Sequence, residues 1–216
     1  MPDYRLRFRD EWDSQIIGSI IGHDEYRLRP LAESGFRPTW IVDIGAHIGI
    51  FTTFAKSLWP DSRVIAVEPG LTNAAVFTVN AENLTDVILH QCAIGPINGP
   101  SLIDLIPAPD GNNAAGTTHE IGDQTTEAVS AIDIRGLLRA YGNPSIDILK
   151  LDAEGPEGIA LDELHRAGYL PRIRYICGEW HGKSNIPLIR AALAETHDLE
   201  LYEHDWEWGA FFAHRR

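Results

Sequence analysis

Three short stretches gather the residue types that can do chemistry. The first is Val42-Asp43-Ile44-Gly45-Ala46-His47-Ile48-Gly49, an apolar run that ends at an acid and enters a glycine-bearing turn. Glycine lets backbone approach a ligand, and the first N–H groups of a following helix present donors. The second is Asp147-Ile148-Leu149-Lys150-Leu151-Asp152-Ala153-Glu154-Gly155-Pro156-Glu157. A lysine inside a buried run is costly unless paired, and Asp152, Glu154 and Glu157 are the nearby partners. The third is Gly178-Glu179-Trp180-His181, where strand alternation puts Glu179 and His181 on one side.

Spacing narrows the ligand. Glu68, followed by Pro69, ends the next apolar run 23 residues after Gly45. That is near the ~20-residue spacing at which an acid reaches ribose hydroxyls. The turn glycines stand four apart rather than as GxGxxG. A pyrophosphate wants the extra close-approach glycine, whereas a cofactor without phosphates does not. Asp43 also suits a cationic amino group better than a phosphate. Adenosine joined to an amino acid is S-adenosylmethionine, and that reading stands ahead of NAD. Packing alone is the competing account at each position. A tight turn needs glycine, a helix N-terminus favours Glu154, Pro156 and Glu157, and His47 or His181 can simply fill a gap or face solvent.

The elements that must position these groups follow from periodicity. Short apolar strands are expected at 40–44, 63–67, 87–94, 128–132, 146–151 and 172–177. Helices are expected between them at 48–58, 73–83, 133–141, 156–167 and 187–195. Such alternation is the βαβ signature of a parallel sheet buried on both faces. The stretch 95–127 differs, with one strand-like run at 101–106 and a polar loop at 111–118 whose Asn112, Asn113, Thr117 and Thr118 could clamp an acceptor. Segments 199–203 and 209–214 read as an antiparallel hairpin. The expected architecture is an α/β, doubly wound, mostly parallel sheet closed by a C-terminal antiparallel hairpin. Residues 1–39 form a lead-in segment, and 40–216 form the S-adenosylmethionine-binding domain.

Composition sets the outer limits. The chain has 216 residues, 44% hydrophobic and 23% charged, with a net charge of −13. So acidic a surface repels phosphate backbones, so neither nucleic acid nor an anionic membrane is an expected partner. Cys92 and Cys177 lie far apart without a CxxC or Cys/His cluster, which reads as buried thiols in a reducing compartment. No apolar run approaches the ~20 residues of a membrane span, and the N-terminus lacks a signal-peptide core. A cytoplasmic protein is expected, and a homo-oligomer is compatible with the composition.

Together these stretches resemble the FkbM family of S-adenosylmethionine-dependent methyltransferases. The resemblance rests on VDIGAHIGIFTTFA at 42–55, RVIAVEP at 63–69, CAIG at 92–95, AIDI at 131–134, IDILKLDAEGPE at 146–157 and GEWH at 178–181. It implies a Rossmann-like methyltransferase fold and, usually, O-methylation of a hydroxyl on a sugar or natural-product small molecule. It implies that Asp43, Gly45, Ala46 and Gly49 surround the methionine part, that Glu68 holds the ribose, and that Cys92 and Ala93 border the adenine; His47 and Pro69, beside them in the same turns, are also expected to bind the cofactor. Asp152 would lie near the methyl group. Two departures, His47 where Asn is common and Pro156 where a small residue is usual, bear on the substrate side.

Asp152, Glu154, Glu179 and His181 are the candidate catalytic residues. His181 is the first choice of base, having the unperturbed pKa nearest neutrality, with Glu154 and Glu179 as rivals. A divalent ion on Asp152, Glu179 and His181 is compatible with these types, but no spacing demands one and no metal is predicted. With little chain left for a separate substrate domain, the hydroxylated acceptor should be held by the lead-in, the 95–127 insertion, strand-end loops or a second subunit. Two other readings compete: a nicotinamide-dependent oxidoreductase and a non-catalytic binding protein on the same fold.

Overall fold

The computed structural model describes residues 5–107, 116–117 and 127–216. Its centre is a seven-stranded sheet. Five strands run parallel: β1 (Trp40–Ile44), β2 (Arg63–Val67), β3 (Val87–His90), β8 (Ile146–Leu151) and β9 (Ile173–His181). A hairpin of β10 (His197–Glu203) and β11 (Trp208–Arg215) closes the sheet, with β11 antiparallel to both β9 and β10. The order is β10–β11–β9–β8–β1–β2–β3, so the chain reverses direction across the sheet beside β1. In open α/β sheets ligands sit at such a switch point, outside the carboxyl ends of the strands.

Alternation along the strands makes the sheet two-faced. Val42, Ile65, Leu149 and Ile176 share one core with α5 (Ile134–Ala140), α6 (Glu157–Arg166) and α7 (Asn185–Leu193). Ile41, Val64, Ile148 and Tyr175 share the other with α2 (Leu28–Glu33) and α3 (Ile50–Leu58). Phe77 of α4 (Leu71–Asn80) packs on Ala46 and Ala66. The lead-in joins the second core: α1 (Glu11–Ile17) continues into a π-helical turn at Gly18–Gly22, and Ile16, Ile17, Ile20 and Ile21 all pack there. No helix among the described residues is long and apolar enough to cross a membrane.

Three expectations change. The strand expected at 87–94 is two: β3 stops at His90, the Cys92 amide turns back to the His90 carbonyl, and β4 (Ala93–Ile94) leaves the main sheet. It pairs with β7 (Glu127–Ile132), which also carries β5 (Leu102–Pro107), itself paired with β6 (Gly116–Thr117). The insertion therefore builds a second small sheet around Ala93, Leu105 and Val129. Strand β9 runs on to His181, so Glu179 and His181 lie within a strand. Asn112, Asn113 and Thr118 lie outside the described residues, as does the Thr117 side chain.

Candidate active site

The carboxyl ends of β1, β2, β8 and β9 open into a cleft of about 620 Å³, whose remaining walls come from the lead-in, from Ala93, Ile94 and Leu105 of the small sheet, and from the tip of the β10–β11 hairpin. The glycine turn forms its floor. Gly45 has φ +76°, and a Cβ there would lie 1.6 Å from the Asp152 carbonyl oxygen, so only glycine fits between β1 and β8. Gly49, at φ +86°, starts α3, and a Cβ would strike the Phe77 ring at 2.9 Å. The turn's own amides are already bonded. Gly45 and Ala46 donate to the Val67 carbonyl, His47 to Glu68 and Gly49 to Ala46. Such a turn does not offer the free row of N–H donors that cradles a pyrophosphate.

Beneath the floor lies a buried ion pair. Lys150 Nζ stands 3.3 Å from Asp43 Oδ1 and 3.4 Å from Asp152 Oδ2, and it donates to the Gly45 carbonyl at 2.5 Å. Thr52 donates to the other Asp43 oxygen at 2.7 Å. Register explains the pairing, since Asp43 and Lys150 are direct partners across β1 and β8. Burial opposes the ammonium, but Asp152 and Asp43 more than compensate and hold it well above the ordinary lysine range.

At the β2 side, Glu68 receives the His47 amide on Oε2 at 2.9 Å and the Gly70 amide and Asn73 side chain on Oε1 at 2.9 and 3.1 Å. A carboxylate oxygen can accept two hydrogen bonds, so Oε2 keeps capacity for a ligand hydroxyl. Burial raises its pKa against those donors. His47 is held from the lead-in. Arg9 Nη2 lies 3.0 Å from its Nε2 and 2.8 Å from Asp13, and Arg9 Nη1 reaches Asn73. Burial lowers His47 to about 4, so the ring is neutral and its Nε2 accepts from Arg9.

The β8–β9 side is crowded with acids. His181 Nδ1 lies 3.1 Å from Glu157, and its Nε2 lies 3.5 Å from both Glu154 and Glu179. Burial disfavours the charged ring, yet hydrogen bonds to Glu157 and Glu179 with the charges of Glu154 and Asp152 raise it to about 11. It is an imidazolium at neutral pH. Burial pushes Glu154 up to about 7, Asp152 and Glu157 adding to the shift while His181 opposes it. Burial, then Asp152 and Glu25, lift Glu179 to about 8. Asp152 goes the other way: burial would raise it, but Lys150, His181 and the Tyr26 hydroxyl hold it below the usual carboxylate range.

The methyltransferase FkbM domain matches residues 43–204, most of the chain. The chain belongs to the FkbM methyltransferase family. "Methyltransferase 1" of Beauveria bassiana (strain ARSEF 2860) is 28% identical over 152 residues, covering 61% of this chain and 59% of that protein, so the chain spans less than two thirds of that relative. "Methyltransferase sdnD" of Sordaria araneosa is 24% identical over 199 residues, covering 78% of this chain and 76% of its own. Among solved structures, a candidate rRNA methylase from Clostridium thermocellum matches 98% of this chain and 100% of its own at TM-score 0.53 and 11% identity. A candidate caffeoyl-CoA O-methyltransferase from Staphylococcus aureus matches 98% and 86% at TM-score 0.51 and 10% identity. At such identities these two show the fold alone, a Rossmann-like methyltransferase fold.

Within this FkbM chain the structure gathers most of the expected residues. Gly45, Ala46, His47, Glu68, Pro69, Ala93, Asp152, Glu154, Glu179 and His181 all line the cleft. Three others do not. Asp43 is fully buried, and the cationic amino group it meets is that of Lys150. Gly49 faces Phe77, and Cys92 lies behind Ala93, its thiol raised to about 11 by burial. Both cysteines are free and buried. His181 sits among Glu154, Glu157 and Glu179, whose charges favour its protonated form. Ligand-capable atoms of Asp152, Glu154 and His181 lie within 4.8 Å of one another, a grouping that the His181 ion pairs already account for. Sequence reasoning missed Trp12, Glu25, Tyr26, Glu207 and Trp208, which also line the cleft. Only their aromatic and acidic types hinted at a site, since none belongs to a local motif.

Proposed function

We propose that the chain transfers a methyl group from S-adenosylmethionine to a hydroxyl of a small molecule, a sugar or natural product. The observation that carries this reading is the charge of the cleft. Six carboxyl side chains line it (Glu25, Glu68, Asp152, Glu154, Glu179 and Glu207) against two cations, Lys150 and the protonated His181, and both are already tied to carboxylates. Such a lining favours a cation and repels a pyrophosphate. The turn amides bonded within the protein weigh the same way, against a nicotinamide dinucleotide. The relatives named as fungal methyltransferases support the reaction class.

The residues present fit this cofactor. Glu68 Oε2 would accept a ribose hydroxyl, Ala93 and Ile94 would border the base, and the floor at Gly45–Ala46 would pass under the amino-acid end. Bound there, S-adenosylmethionine supplies an activated methyl whose carbon–sulfur bond breaks as the bond to the acceptor oxygen forms. The protein aligns the acceptor and removes its proton. Asp152 stays ionised beside the cationic centre. Glu179 or Glu154, each with a pKa raised towards neutrality, takes the hydroxyl proton. Protonated His181 holds these two carboxyls in place and limits their repulsion.

Calorimetry tests the reading. S-adenosylhomocysteine should bind with release of heat and NAD should not. Binding of NAD without S-adenosylhomocysteine would replace methyl transfer with redox chemistry.

A further inference from the structure

Two adjacent residues of the lead-in reach the catalytic carboxyls from outside the span that matches the family. The Tyr26 hydroxyl donates to Asp152 Oδ2 at 2.9 Å, across 126 positions of sequence. The same oxygen faces Lys150 Nζ at 3.4 Å, so two donors converge on Oδ2. Glu25, one residue earlier, lines the same cleft as Glu179, and its charge is among those that raise the Glu179 carboxyl.

The turn that carries this pair is anchored on every side. Asp24 and Arg27 flank it with φ +55° and +56°, conformations that non-glycine residues adopt at a cost. Asp24 caps α2 through the Leu28 and Arg29 amides at 2.8 and 2.9 Å. The Tyr26 ring packs edge-on against Phe51, and its carbonyl accepts the Tyr175 hydroxyl at 3.0 Å. Arg27 pairs with Glu200 at 2.9 Å and lies over the Phe212 ring. A strained turn held this firmly has one evident product, the placement of two side chains against Asp152 and Glu179.

We propose that Tyr26 and Glu25 are positioning residues of the reaction: Tyr26 holds the Asp152 carboxyl through its Oδ2, and Glu25 sets the charge that the Glu179 carboxyl meets from the lead-in. This rests on the methyl-transfer reading for its purpose, though not for its geometry. The groups facing Glu179 are Glu25 from the lead-in, Asp152 and Glu154 after β8, and His181 within β9, with Lys150 beyond Asp152 and His204 of the hairpin acting on Glu25.

The test is a carboxyl-carbon NMR titration of the full chain, labelled at Asp and Glu, in wild type, Tyr26→Phe and Glu25→Gln. Removing the hydroxyl that stabilises ionised Asp152 should raise its midpoint by about half a pH unit or more, leaving Glu179 less affected. Removing the Glu25 charge should lower the Glu179 midpoint by a similar amount, leaving Asp152 less affected. Unmoved midpoints in folded variants, with only a lower melting temperature, would reduce the pair to a packing role and overturn the proposal. The variants act on different carboxyls, so failure of one to fold leaves the other decisive. Calorimetry with S-adenosylhomocysteine on wild type separates the two levels. Absent binding counts against the cofactor reading, while the titrations still decide the role of the pair.

Discussion

The two halves of the cleft are built in opposite ways. On the proposed cofactor side, the β1 turn, Glu68 and the Asp43–Lys150 pair meet most of their polar partners within the protein, through local turns and strand register, the buried His47 Nδ1 being left without a hydrogen bond. On the proposed acceptor side, Asp152, Glu154, Glu157 and Glu179 crowd around one imidazolium, brought together from the end of β8, the start of α6 and β9, with Glu25 of the lead-in lining the same cleft. The first half is a scaffold that holds shape. The second holds excess negative charge that a cationic ligand relieves. A scaffold should respond to mutation by losing stability or affinity, and a poised charge cluster by changing rate and pH dependence.

The largest expected effect breaks the scaffold. Lys150→Met leaves Asp43 buried without its counter-ion and should cost about 3–5 kcal/mol in denaturant unfolding. An unchanged midpoint would mean the pair is not the keystone of the floor. On the acceptor side, Glu179→Gln should lower kcat by about 10²–10⁴-fold with little change in cofactor affinity, the range for losing a general base. A loss confined to cofactor binding would erase the distinction between the halves.

The pH profile sharpens the comparison further. Glu154 and Glu179 act as bases only when deprotonated, so kcat should rise with pH through about 7 and about 8. His181, raised to about 11, should contribute no step in that window. An acid limb near the ordinary histidine value that vanishes in His181→Gln would return the role of base to the imidazole. Smaller still, Glu68→Gln should weaken S-adenosylhomocysteine by about tenfold, one hydrogen bond to a charged group. It should leave the pH profile unmoved. Dialysis against a chelator should change neither half, and lost turnover would assign an ion to the acid cluster.

The same division explains what could be read in advance. The cofactor side was legible because each of its features is local. The GxxxG turn, the acid 23 residues on and the alternating strands need only neighbouring residues to be recognised. Lys150 stood out as a charge in a buried run, but its partner Asp43 becomes visible only once β1 and β8 are aligned in register. On the acceptor side, alternation correctly placed Glu179 and His181 on one face. It could not show that Glu154 and Glu157 also converge on that histidine and reverse its expected protonation. Glu25 and Tyr26 carried no signal beyond their residue types, since 126 positions and no shared motif separate Tyr26 from Asp152. The split of the expected third strand was hidden for a similar reason: β4 is defined by its partner β7, more than thirty residues later.

The central claim is tested most directly by incubating the protein with methyl-labelled S-adenosylmethionine and a panel of hydroxylated small molecules, sugars and phenolic glycosides included, read by mass spectrometry. The account predicts gain of one labelled methyl on a hydroxyl of at least one compound, abolished in Asp152→Asn. Label found only on an amine or carbon, or binding of NAD with none of S-adenosylmethionine, would contradict it.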